Sequence, residues 1–467
     1  MQQLKFVEKN SQGLDEVRVS DIEGIEAPYY TPEVSGPEGL QALLSAKNAL
    51  EKQNPIMVPG HRWQDIRSKP RFKQVRDEIR SLVTEHPFYY YEPVELFRYS
   101  RPQNLVTYAF QGDQGRSRDF YDLLRDKEYE KAIGKLPSFF QPFVEKQMKG
   151  LLKSKDLAVP MKFQSQSSGK VHEAWRDSRA DSGFTNYFER LADDAGNAPN
   201  AALIPPAPPV MKSTGKDVIS RTLGFNSYMR KLARSKWDDP SCGNVTAYLH
   251  FYVDQGIFES NNNNNDVRVK KAVRSEIENS TYAGLAITIS NIENIWSKGN
   301  EKALERFITD ITSLAREKHL PVIMPRSGYF GMHLTDHGVH SFSNLMNGNL
   351  TYNRRGGGID ERAKYGTLPV YGAARDVNAE QLDRVLSRNQ GQVHDVAGVP
   401  NSPPTYNSSA STYKAKFGNA NQFRIEFGKP RRMVHIKEAK ELREGIQRGT
   451  AQPAQRYLER SQHPDLS

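Results

Sequence analysis

Cysteine is almost absent from this chain. Cys242 stands alone in 467 residues, which excludes an internal disulfide and any multi-cysteine zinc site. Long apolar runs are missing too: no window approaches the eighteen or so uninterrupted apolar residues of a membrane span. The first residues, Met1-Gln-Gln-Leu-Lys-Phe-Val-Glu-Lys, lack the apolar stretch of a secretory signal. A cytoplasmic, reducing setting with no membrane partner is the simplest expectation. Phosphate-loop and dinucleotide glycine motifs are lacking as well. Ser213-Thr-Gly-Lys-Asp217 keeps only the Gly-Lys pair of a phosphate loop, and no strand is followed by Gly-x-Gly-x-x-Gly. There is no Gly-x-Ser-x-Gly elbow and no His-Glu-x-x-His. No repeat of fixed period is found.

Aliphatic residues are modest, with 37% hydrophobic residues and a mean hydropathy of -0.71, but aromatics reach 10%. Rings therefore supply much of the core area. The net charge of +10 and a pI near 9.3 favour polyanionic partners such as DNA or RNA, or else describe a solvated basic surface. A protein partner or a homo-oligomer is equally compatible with this composition.

The chain is organised around residues 245–355. Three apolar runs, Val245–Val253, Gly284–Ser290 and Leu320–Met324, each end at a polar or glycine-rich corner. Between the last two, Ala303, Leu304, Phe307, Ile308, Ile311, Leu314 and Ala315 recur at helical spacing; Val269, Ala272, Val273 and Ile277 do so between the first two. Strand, helix, strand, helix, strand is the pattern of parallel β-structure with crossover helices. Shorter strand candidates precede it at Pro55–Val58, Phe88–Tyr91, Leu105–Phe110 and Ala201–Ile204, and prolines hold 27–34 extended. With roughly eight to eleven strand candidates before residue 372, the expected fold is a TIM-type (β/α) barrel with insertions. An open doubly wound sheet is the alternative. The barrel is expected over 1–375, with a polar insertion near 165–200. A C-terminal α+β extension over 376–467 is expected to comprise a linker, a β-hairpin and a charged helix.

In such folds chemistry sits where strands end and loops begin. His250, Tyr252 and Asp254 alternate along one strand and share a face. Asp254, at the strand end, is placed to act as acid, base or nucleophile, or simply to cap the Gln255-Gly256 turn. Pro325-Arg-Ser-Gly-Tyr-Phe-Gly331 leaves the next strand. Arg326, Ser327 and Tyr329 are therefore candidates for binding substrate, unless the arginine pairs with a neighbouring carboxylate. Asp336 and His337 are candidate acid/base groups in the densest histidine cluster of the chain. If 330–337 is helical, His333 and His337 share a face at a spacing that can ligate a metal. Spacing alone does not make a site, so no metal is assigned and the cofactor is left open.

Tyr352, Arg354 and Arg355, beside three glycines, form a candidate phosphate clamp. Nucleic-acid contacts are expected from Lys414, Lys416, Arg424, Arg431 and Arg432, which interleave with Tyr413, Phe417, Phe423 and Phe427. Gly338-Val-His-Ser-Phe-Ser343, with Asn347-Gly and Arg354-Arg-Gly, faintly resembles the late-barrel segment of tRNA-guanine transglycosylases, which exchange a base on nucleic acid. That family's aspartate would fall near Ser341 or Ser343, and its zinc cysteines have no counterpart. No catalytic residue is therefore carried over. The expectation is a barrel enzyme acting on a phosphorylated or nucleic-acid substrate by acid/base transfer or hydrolysis, including base or nucleotide modification. The alternative is a non-catalytic scaffold binding nucleic acid or protein through its basic C-terminal surface.

Overall fold

A computed structural model describes most of residues 15–34, 54–59, 86–91, 114–136, 201–205, 246–259, 264–279, 282–292 and 299–345, with short stretches at 4–7, 368–370 and 375–377 and isolated residues elsewhere. Eight parallel strands close into a barrel. In chain order they are β4 (Tyr29–Glu33), β5 (Ile56–Pro59), β6 (Phe88–Tyr91), β7 (Ala201–Ile204), β8 (Thr246–Asp254), β9 (Gly284–Ser290), β10 (Val322–Met324) and β11 (Ser341–Leu345). Each pairs with its predecessor, and β11 pairs in parallel with β4 from Ser341↔Tyr29 to Leu345↔Glu33. The fold is thus the TIM-type barrel expected from the sequence, and not an open sheet.

Three strands precede the barrel. β1 (Leu4–Val7), β2 (Glu16–Val19) and β3 (Ile25–Glu26) form an antiparallel sheet. Val17 and Ile25 from this sheet are buried in one cluster with Tyr29, Met57, Tyr89 and Tyr248. The small sheet therefore closes the N-terminal end of the barrel and keeps water out of its interior. After the barrel, β12 (Leu368–Val370) and β13 (Arg375–Val377) pair with each other, antiparallel.

Outside the ring, α1 (Gln114–Arg125) and α2 (Tyr129–Gly134) lie in the long β6–β7 connection, which also contains the polar segment 165–200. That segment is outside the described residues, as are the strand expected at Leu105–Phe110 and the whole expected C-terminal hairpin. α3 (Asn265–Glu278) and α4 (Glu301–Glu317) flank β9 in sequence. α3 buries Val269, Val273 and Ile277, and α4 buries Leu304, Phe307, Ile308, Ile311, Leu314 and Ala315. Each large aliphatic so placed contributes roughly 1.5–3 kcal/mol relative to exposure, so tertiary burial holds these helices. Asp266 lies inside the first turn of α3, where its charge complements the helix dipole. The residue preceding the helix is Asn264 in left-handed geometry (φ 59°).

The crossover from β10 to β11 takes only residues 325–340, the shortest connection in the ring. It holds α5 (Gly328–His333) and a 3-10 turn, Leu334–His337, ended by Gly338 at φ 89°. A Cβ on Gly338 would stand 2.8 Å from Thr312 Oγ1 on α4. Glycine is thus required there twice over, for its backbone conformation and for the close approach to α4.

Candidate active site at the C-terminal mouth

Alternation along each strand sends every second side chain into the barrel. From the N-terminal end upward the interior changes character. Tyr29, Tyr89 and Tyr248 come from the alternate strands β4, β6 and β8, as one interior layer requires. Their hydroxyls are linked in series, 3.4 Å from Tyr29 to Tyr89 and 3.3 Å from Tyr89 to Tyr248. Burial raises the pKa of all three well above the ordinary phenol range. They are therefore neutral fillers of the core. Gly284 makes room for this layer, since a Cβ there would fall 2.1 Å from the Tyr248 ring.

Above the tyrosines lies a hydrogen-bonded relay. His250 Nδ1 sits 2.5 Å from the Pro205 carbonyl oxygen, which can only accept, so Nδ1 carries a proton. In the neutral ring Nε2 then accepts from Thr288 Oγ1 at 2.9 Å, and Thr288 in turn accepts from the Tyr91 hydroxyl at 3.0 Å. Burial pushes the Tyr91 phenol up, with the Glu33 charge adding to that and the Arg326 charge opposing it.

At the strand ends two carboxylates are held differently. Glu33, wholly buried at the end of β4, accepts from Arg326 Nε at 3.0 Å and Nη2 at 2.7 Å. Arg326 occupies left-handed backbone geometry (φ 50°), which costs a non-glycine residue on the order of 1 kcal/mol or more. Its own N–H donates to Ser343 Oγ at 2.9 Å, and the next N–H, of Ser327, donates to the Ser343 carbonyl at 2.9 Å. The buried ion pair and the two bonds to β11 together offset that strain. Asp254, at the end of β8, accepts from the Gly256 N–H at 3.1 Å through Oδ1, and from Ser290 Oγ–H at 2.7 Å and Asn291 Nδ2–H at 3.4 Å through Oδ2. Asn291, directly after β9, is also left-handed (φ 54°).

The expected site residues thus divide. Asp254, His250 and Arg326 converge on the upper interior. Asp254 caps the turn with one oxygen and faces β9 with the other, so capping and orientation coexist. Arg326 is committed to Glu33. Ser327 is buried, its hydroxyl donating to the Met324 carbonyl at 2.7 Å. Tyr329 lies in α5. Asp336 and His337 do not join the mouth: they stand on the 3-10 turn of the outer crossover, where His337 meets Thr309 of α4. Desolvation raises the Asp336 pKa and lowers that of His337. Tyr352, Arg354, Arg355, Lys414, Lys416, Arg424, Arg431 and Arg432 lie outside the described residues.

Sequence reasoning missed Glu33, Tyr91, Thr288 and Ser290. Each follows an inward-facing neighbour at a spacing of two, and that period was the available signal. The strand positions where the transglycosylase resemblance would place a carboxylate hold Ser341, bonded to Thr31 at 2.7 Å, and Ser343. No known family model matches the chain, and no curated protein matches its sequence.

Proposed function

We propose that this protein is a barrel enzyme whose reaction centre is the C-terminal mouth, with Asp254 as its acid/base group and a phosphorylated or nucleic-acid substrate. The observation that carries this reading is the convergence of Glu33, Arg326, Asp254, Ser290 and Asn291, all buried, from four strand ends. A protein that binds only through its outer surface has no need of this set, and burying it is costly. Ser290 and Asn291 hold the Asp254 carboxylate in one orientation, as proton transfer requires. His250 acts further down, fixing Thr288 and Tyr91 beneath the reacting group.

The cations described at the mouth are already paired, Arg326 with Glu33 and Lys212 with Glu259 at 2.7 Å. Anion binding is therefore assigned to Tyr352, Arg354 and Arg355, which follow β11 in sequence. Turnover of phosphomonoesters, nucleotides and RNA and DNA oligonucleotides by the full chain tests the reading. Asp254→Asn should lower the rate by about 10²–10⁴-fold, the usual worth of a general acid or base, while the melting temperature barely moves. Equal turnover by the two proteins would remove Asp254 from the mechanism. Titrating single- and double-stranded nucleic acid across a salt series separates the substrates. Steep salt dependence lost in Arg354→Ala/Arg355→Ala assigns the phosphate contacts to those two arginines. Dependence lost only in Arg431→Ala/Arg432→Ala favours the non-catalytic binder.

A further inference from the structure

On the flank of the barrel, Glu305 of α4 and His333 and His337 of the crossover bring one ligand atom each to within 4.8 Å of the others. His333 Nε2 is 2.8 Å from Glu305 Oε1, and the two imidazole centroids are 5.7 Å apart. His333 is buried, while Glu305 and His337 are partly open to water. We propose that these three side chains bind a divalent transition-metal ion of the zinc class, which fastens the shortest crossover of the barrel to α4.

The donor set is the first reason. Two imidazoles and one carboxylate match borderline-soft ions such as Zn2+ and leave a coordination position for water. Hard ions such as Mg2+ prefer an all-oxygen shell. Size is the second reason. Bonds of about 2.0–2.1 Å in a tetrahedral arrangement separate ligand atoms by about 3.3 Å. The His333–Glu305 contact therefore needs to open by only about half an ångström.

The third reason is the tautomer of His337. Thr309 Oγ1 spends its proton on the Glu305 carbonyl at 2.8 Å, so at His337 Nδ1, 3.0 Å away, it can only accept. That fixes the proton on Nδ1 and leaves the lone pair on Nε2. A hydrogen bond of this kind, from the non-ligating nitrogen, is how proteins orient histidine toward a metal. Glu305, moreover, lies about one helical turn before Thr309, so one stretch of α4 supplies both a ligand and the group that aims another.

The test is calorimetric titration of the metal-free full chain with Zn2+ and, separately, Mg2+, with melting curves and the visible absorption of a Co2+-loaded sample. Stoichiometric Zn2+ binding is expected, with a rise in melting temperature that Mg2+ does not give and a Co2+ spectrum of low coordination number. Glu305→Gln and His337→Gln should abolish stoichiometric binding. Thr309→Val, which touches no metal, should weaken it by about 10–100-fold. His319→Asn, an exposed histidine in left-handed geometry (φ 56°) that asparagine tolerates, should leave it unchanged. His337 is only partly buried, so His337→Gln keeps the test decisive should Glu305→Gln fail to fold. No binding by the parent chain overturns the proposal. So does binding that survives His337→Gln, or that His319→Asn removes.

Discussion

The two halves of the barrel interior are built on opposite terms. Toward the N-terminal end, Tyr29, Tyr89 and Tyr248 fill the section with rings whose hydroxyls are linked in series, Tyr89 and Tyr248 also packing edge to face, and Val17 and Ile25 close it off. Toward the C-terminal end, the same inward positions carry Glu33, Asp254, Thr288 and Ser290, with Arg326 on the loop after β10. One end gains stability from apolar area and close packing. The other accepts a buried ion pair and two left-handed residues, costs that fit the reaction centre proposed for this end. The difference follows from strand direction: in a parallel barrel every strand finishes at the same end, where loops are free to vary.

The comparison breaks most severely at the ion pair. Arg326→Ala leaves Glu33 buried without its guanidinium and should cost about 3–5 kcal/mol, whereas an apolar pair such as Glu33→Leu/Arg326→Met should cost far less. Urea unfolding of the single and double variants checks this, and equal losses would mean that the pair is solvated.

Next comes acid, acting at the N-terminal end. His340 Nδ1 accepts from the Val322 N–H at 3.0 Å, and burial together with the Arg316 charge pushes the imidazole down to about 3. Asp15 Oδ2 lies 3.7 Å from its Nε2 and favours the charged ring, but Arg316 already holds that carboxylate at 2.6 Å, so burial prevails. The unfolded chain takes up a proton at His340 below about 6.5 while the folded chain does not. This contribution should therefore erode stability as the pH falls from about 6.5 toward 3, and be absent above that window. Urea midpoints against pH should show it, with a flatter slope in His340→Gln.

Packing at the tyrosine layer gives a smaller effect. Gly284→Ala drives a methyl into the Tyr248 ring and should cost about 1–3 kcal/mol by overpacking, read as a lower denaturation midpoint. The smallest change belongs to Tyr89→Phe, which removes two long hydroxyl contacts. About 1 kcal/mol or less is expected, with turnover intact. A loss of turnover there would show that the lower half takes part in the chemistry, and the contrast between the halves would fail.

Local signals carried much of the fold. The runs at 245–253, 284–290 and 320–324 became β8, β9 and β10 because period and β-branched content are properties of a few neighbouring residues. The apolar positions 304, 307, 308, 311, 314 and 315 became the buried face of α4 for the same reason. The opening sheet is harder to read, because β2 and β3 are short and polar and their burial depends on the barrel end they cover. In the site, Asp254 was legible because it ends a long alternating strand. For Glu33 the spacing of two offered its inward position but not its pairing, since Arg326 lies 293 residues away and no local pattern joins them. Glu305 was missed on the same ground: on its own helix it reads as a solvated acid, and only the returning crossover brings His333 and His337 against it.

The sequence by itself determined the alternation of strands and crossover helices over 245–324, the single cysteine that rules out an internal disulfide, and the strand that presents His250 and Asp254 on one face. Each rests on spacing along the chain or on composition, which need no knowledge of distant contacts. Only the tertiary structure decided that Arg326 neutralises Glu33, that Asp254 is aimed by β9, and that Asp336 and His337 belong to the flank rather than the mouth. Ring closure sets those relations by placing β11 beside β4, and the free energy of a buried charge or an oriented carboxylate depends on the groups that closure brings within a few ångströms.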